Sequence, residues 1–126
     1  MAKPVRIQRL RTKGWRMPEN TVYVGRPTLF GNPWVATDAP SADAMALAKW
    51  CVEQYRLHEL DELVAQADWS VAAQNHAQRA IADRGGQVFL TMRQLIREEL
   101  RGKNLACWCP AGTPCHADVL LEVASS

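Results

Sequence analysis

Hydrophobic and polar positions alternate along the first part of the chain. Val5, Ile7 and Leu10 interleave with Arg6, Gln8, Arg9 and Arg11, an imperfect period of two that predicts a half-exposed strand. Thr21-Val22-Tyr23-Val24 predicts a second strand, because β-branched and aromatic side chains favour extended backbone. From residue 44 the period changes to three and four. Ala44, Leu47, Ala48, Cys51, Val52 and Tyr55 form the stripe of a helix packed on a core, beginning near Ser41 or Asp43 with Pro40 just upstream. Cys51 lies on that stripe and reads as an inert, buried cysteine. Leu57 to Val64 continues an apolar and acidic pattern as a second short helix. Ser70 caps the next, with Ala73, Ala77, Ala80 and Ile81 inward and Gly85-Gly86 at its end. Thr91 and Gln94 have the spacing of a capping box for a helix through Leu95, Ile96 and Leu100, which Gly102 breaks. Asn104 to Trp108 then reads as a short buried strand. Val119, Leu120 and Val123 give the apolar face of a last helix starting at Cys115 or His116.

This order predicts one compact α/β domain over residues 1–126, a small Rossmann-like layered sheet flanked by helices. A chain of 126 residues fits a single core. Ligands of such sheets sit beyond the carboxyl ends of the strands. The loops over residues 25–34 and 107–115 both follow strands, so they are expected to face one another across a cleft.

Composition narrows the classes. No apolar run is long enough for a membrane span, and the N-terminus lacks the apolar stretch of a signal peptide, so a cytoplasmic location is expected. In that compartment the four cysteines stay reduced, which favours metal binding or thiol chemistry over disulfides. The formal charge is only +2. Its distribution is uneven: Lys3, Arg6, Arg9, Arg11, Lys13, Arg16 and Arg26 stand against the single acid Glu19. A phosphate-bearing small molecule or a nucleic acid is the partner this suggests, as is the plainer reading of a solvated basic face. A monomer or small homo-oligomer is expected. G-x-G-x-x-G and the P-loop are both absent, which excludes the common dinucleotide and ATP sites.

Two segments carry candidate chemistry. In Lys13-Gly14-Trp15-Arg16, cations flank a glycine and a ring able to stack a base; Arg26, Gly31 and Asn32 add a guanidinium, a turn and an amide. Lys13, Trp15, Arg16, Arg26, Gly31 and Asn32 are therefore candidate ligand-binding residues. The second segment places Cys107, Cys109, Cys115, His116 and Asp118 within a dozen residues. Cys115 at a helix start, beside His116 and Asp118, would suit a nucleophile, a proton transfer or anion recognition, and this catalytic trio needs no cofactor. The alternative is zinc held by Cys107, Cys109, Cys115 and His116. The thiols of Cys107 and Cys109 share one face if that pair is extended, although C-x-C is shorter than the usual ligand spacing. Trp108, between them, is expected to point the other way and pack under a helix. His58 and His76 have no metal-binding neighbour at useful spacing.

The motifs Lys13-Gly14-Trp15-Arg16-Met17-Pro18, Val22-Tyr23-Val24-Gly25-Arg26-Pro27, Phe30-Gly31-Asn32-Pro33, Leu100 to Pro110 and Cys115-His116-Ala117-Asp118 together resemble the bacterial and phage domain of unknown function numbered 4326. The resemblance spans nearly the whole chain, with the middle helices least diagnostic. It implies a compact single-domain protein of phage and prophage settings and brings no reaction with it. Three functions stay open: a small enzyme or binding protein for a nucleotide or nucleic acid, acting by transfer or hydrolysis; a zinc-stabilised nucleic-acid or protein interaction module; and a phage accessory protein acting on a host partner.

Overall fold

The structure is a computed structural model that describes residues 3–34, 43–110 and 112–126. Pro40 and Ser41, proposed above to start the first helix, and Ala111 in the cysteine loop lie outside the described residues. Three short strands, β1 (Arg6–Gln8), β2 (Thr21–Tyr23) and β3 (Asn104–Cys107), form one sheet. Its order is β1-β3-β2, and both pairings are parallel. The register sets Arg6 beside Leu105 and Tyr23 beside Ala106. Because all three strands run the same way, their carboxyl ends share one edge. The hydrogen bonds continue past the strands there, with Arg9 N donating to Cys107 O (2.7 Å) and Val24 N to Ala106 O (2.9 Å).

The helices are α1 (Ala44–His58), α2 (Val71–Asp83), α3 (Met92–Leu100) and α4 (His116–Ser125). Their starts follow the side-chain chemistry of the sequence. Asp43 accepts from Ala46 N at 3.0 Å and Ser70 from Ala73 N at 2.9 Å. The α3 box is complete: Gln94 N donates to the Thr91 hydroxyl (3.2 Å) and Thr91 N to the Gln94 side chain (2.9 Å). Thr91→Ala is expected to cost about 1 kcal/mol, read as a lower urea midpoint at unchanged slope.

The second short helix expected over Leu57 to Val64 does not form. Leu57 and His58 are the last residues of α1, and only Val64–Gln66 makes a single turn of 3-10 helix. Between them the backbone is used by a distant segment: Arg93 N donates to Leu60 O (2.8 Å), Met92 N to Glu62 O (2.9 Å) and Val64 N to Leu90 O (2.8 Å). Leu60 and Val64 are buried as the periodicity implied, but a long-range bridge fixes their backbone.

The core lies between the sheet and the helices. Leu105, Ala106 and Cys107 of β3 are buried under α4, which buries Ala117, Val119, Leu120, Val123 and Ala124. Leu95, Ile96 and Leu100 of α3 fill the other side. Arg101 closes α4 by donating to Ala124 O (3.0 Å) and Ser126 O (2.8 Å), the end where carbonyls lack helical partners. Tyr55, fully buried on α1, donates its hydroxyl to Phe30 O at 3.0 Å and thereby ties the 25–34 loop to the core. No helix among the described residues is long and apolar enough to cross a membrane.

Candidate metal centre

Cys107 is the last residue of β3, Cys109 follows in the turn, and Cys115 is the N-cap residue of α4. The turn reverses the chain so that strand end and helix start lie side by side. Gly112 has φ +85°, a left-handed conformation that glycine adopts without steric cost. Thr113 N and its hydroxyl both donate to Pro110 O, at 3.1 and 2.6 Å. As a result the three sulfurs lie within 4.8 Å of one another. The Cys115 thiol donates to Cys107 Sγ at 3.3 Å.

One side chain from outside the segment holds this turn. Arg6, on β1, donates to Thr113 O (2.8 Å) and Pro110 O (3.2 Å), and its Nη1 pairs with the Asp118 carboxylate at 3.0 Å. Its side chain is only 14% exposed, so the guanidinium is spent on the turn. In the sequence it was one cation of a basic run. Only the register, which sets β1 against β3, reveals its role.

The electrostatics favour one thiolate in the group. Cys107 is held well below the usual thiol range by hydrogen bonds from Cys109 and Cys115, against the desolvation of its site, with a further contribution from the Arg6 charge. Cys109 is raised chiefly by its hydrogen bond to Cys107, and Cys115 by its bonds to Cys107 and Cys109 and by burial. Two thiols thus solvate a neighbouring thiolate in a site shielded from water. A soft cation replacing the two remaining protons would take all three sulfurs as ligands.

His116 stands one step outside the sulfurs. Its Nε2 donates to Val24 O at 2.7 Å, which leaves the lone pair of the neutral ring on Nδ1, 3.8 Å from Cys115 Sγ. Burial depresses its pKa below the ordinary histidine value, so the ring is neutral. Asp118 faces Arg6 and not the imidazole. Of the expected trio, Cys115 Sγ and His116 Nδ1 lie 3.8 Å apart, while Asp118 pairs with Arg6.

The two loops do meet. A cleft of about 420 Å³ is lined by Cys107, Cys109, Cys115 and His116 on one side and by Tyr23, Arg26, Asn32 and Trp34 on the other. That size suits a small ligand. Several polar groups of the second wall are already engaged, although Trp34 Nε1 is buried without a partner. Arg26 braces its own loop, donating to Asn32 O (2.6 Å) and Trp34 O (2.7 Å). Asn32, buried, donates to Cys51 O (2.9 Å) and accepts from Trp34 N (2.9 Å). At Gly31 a Cβ would come within 3.1 Å of two backbone oxygens, those of Gly25 and Thr28, so this residue lets the loop close on itself. Lys13 and Arg16 are exposed, Trp15 is half-buried, and none of the three lines the cleft.

Cys51, expected to be inert and buried, is half-buried and lines the same cleft. Trp108 was expected under a helix. It is instead 40% exposed and lines the cleft, one residue past the end of β3. His76 pairs with Glu99 at 2.8 Å and His58 packs on Trp34, so neither joins the thiols.

No curated protein and no solved structure matches the chain. The family described as Domain of unknown function (DUF4326) matches residues 7–126, which takes in both walls of the cleft and every residue of the thiol group, and the chain belongs to that family.

Proposed function

We propose that this protein is a zinc-binding domain in which Cys107, Cys109 and Cys115 hold one ion, and that the turn so fixed is an interaction module. The observation that carries this reading is the convergence of three sulfurs within 4.8 Å at the end of the central strand. Three thiolates are soft donors that select zinc or another thiophilic cation over magnesium or calcium. Zinc completes a tetrahedron, and a fourth ligand must come from His116 Nδ1 or from the cleft. The Nε2 bond of His116 to a carbonyl is the support that zinc-bound imidazoles usually have. A nucleotide-handling enzyme is less well supported, since Arg26 spends Nε and Nη2 on carbonyls of its own loop and Asn32 its amide on the Cys51 carbonyl.

Protein purified under reducing conditions is expected to carry one zinc per chain by elemental analysis. X-ray absorption should then show three sulfurs at about 2.3 Å and one lighter ligand. Metal-free protein whose melting temperature ignores both added zinc and chelator would overturn the assignment.

A further inference from the structure

The carboxyl edge of the sheet carries a second feature beside the thiols. Arg9 follows β1, Tyr23 ends β2 and Trp108 follows β3, so the register brings them together. The Arg9 guanidinium lies 4.5 Å from the Tyr23 ring centre and 4.6 Å from that of Trp108. Arg11 lies 4.7 Å from the same Trp108 ring. Arg9 Nε is shielded from solvent and meets no acceptor, so aromatic faces and not a carboxylate answer this charge. Among the described residues neither Arg9 nor Arg11 forms an ion pair. This region is a concentration of unneutralised positive charge ordered by two rings.

We infer that this row, Tyr23-Arg9-Trp108-Arg11, binds single-stranded nucleic acid. The inference deepens the interaction module proposed above and rests on it only in that a metal at Cys107 and Cys109 would fix the backbone on both sides of Trp108. Charge complementarity selects a polyanion. Stacked guanidiniums keep their N–H edges for phosphate oxygens while the rings hold them in place. Arg9 and Arg11 both lie over the Trp108 ring, so the row meets a base at its exposed end, where the Arg11 guanidinium plane and the uncovered part of Trp108 can stack on it. In a duplex the base faces are stacked on one another and cannot reach such a ring; in a single strand they can.

The test is fluorescence anisotropy with labelled oligothymidylate and oligouridylate of about 12 nucleotides, a length within the range one small domain covers. Zinc content is measured on the same preparations. Arg11→Ala should weaken binding about 5-fold and lower the salt dependence by about 0.7, the share of one phosphate contact on a single strand. Trp108→Ala should weaken it about 10-fold, with most of the loss recovered in Trp108→Phe. Arg79→Ala, an exposed cation on α2, should change nothing. A preference for either oligonucleotide supports the inference.

No binding at about 100 μM at physiological salt overturns it. So does tighter binding of the duplex, or equal losses in Arg79→Ala and Arg11→Ala. Zinc-loaded protein that binds no oligonucleotide removes this inference and leaves the metal centre standing. Zinc-free protein that binds, with Arg11→Ala weakened, does the reverse. Arg11 lies outside the cysteine turn, so its variant reports on the surface even if Trp108→Ala disturbs the metal.

Discussion

Cys107→Ser will yield protein without zinc and with a melting temperature lower by about 10 °C or more. Cys107 is the thiolate that its two neighbours solvate, and it is 1% exposed at the end of the central strand. A serine oxygen is a poor zinc ligand, and two thiols cannot hold the ion in competition with water. Structural zinc contributes roughly 10 kcal/mol or more to small domains that fold around it. This domain also has an apolar core, so the visible loss is smaller. About 3 kcal/mol suffices for the shift given, at the 3–5 °C per kcal/mol expected for a chain of this size. Cys109→Ser, at a half-buried position, should lose the metal with a milder effect on folding and serves where Cys107→Ser fails to express. Cys51→Ser should keep its zinc, since Cys51 is outside the group of three sulfurs. Elemental analysis and thermal melts with and without chelator decide all three.

Arg6→Ala is expected to weaken zinc binding about 10- to 100-fold although Arg6 touches no sulfur, the range seen when a residue supporting the ligands is removed. The substitution leaves the Thr113 and Pro110 carbonyls without the guanidinium that now bridges them. It also removes the one cation whose field lowers both Cys107 and Cys109. Stability should fall by about 2–3 kcal/mol, most of it from the carbonyl bonds. The ion pair to Asp118 adds little, because that carboxylate is 55% exposed. Arg6→Lys should recover less than half of either loss, since an ammonium lacks the planar fork that spans two carbonyls. Asp118→Asn should be nearly neutral. Competition against a chromophoric chelator gives the affinities, and equal zinc affinity in wild type and Arg6→Ala would refute the clamp.

Much of the local structure was legible because its causes are local. Asp43, Ser70 and the Thr91–Gln94 pair start helices through bonds to residues three positions away, which a reader of the sequence can see. The α/β order with a buried third strand was legible for the same reason, and so was the family. Leu57 to Val64 misled because its apolar spacing of four is helical, whereas the bonds that decide its backbone come from residues 90–93. At the site, Cys107 and Cys109 were expected to share a face if that pair were extended; Cys109 instead lies in the turn after β3, and that turn brings it and Cys115 to Cys107. Arg6 was hidden because charge patterning cannot tell a solvated cation from one that crosses to another strand's turn. Arg26 and Asn32 both line the cleft, yet Arg26 spends two nitrogens on its own loop and Asn32 turns its amide to the Cys51 carbonyl, which depends on where α1 places that group.

The strand order has a consequence for how the chain is made. β1 and β2 are separated by twelve residues but do not pair with each other; each pairs only with β3, which begins at Asn104. During synthesis from the N-terminus, the 80 residues between β2 and β3 must therefore be made before either early strand has a partner. The sheet and the thiol group are both completed by the segment that begins at Asn104. Until then the early strands present unpaired edges to the cell.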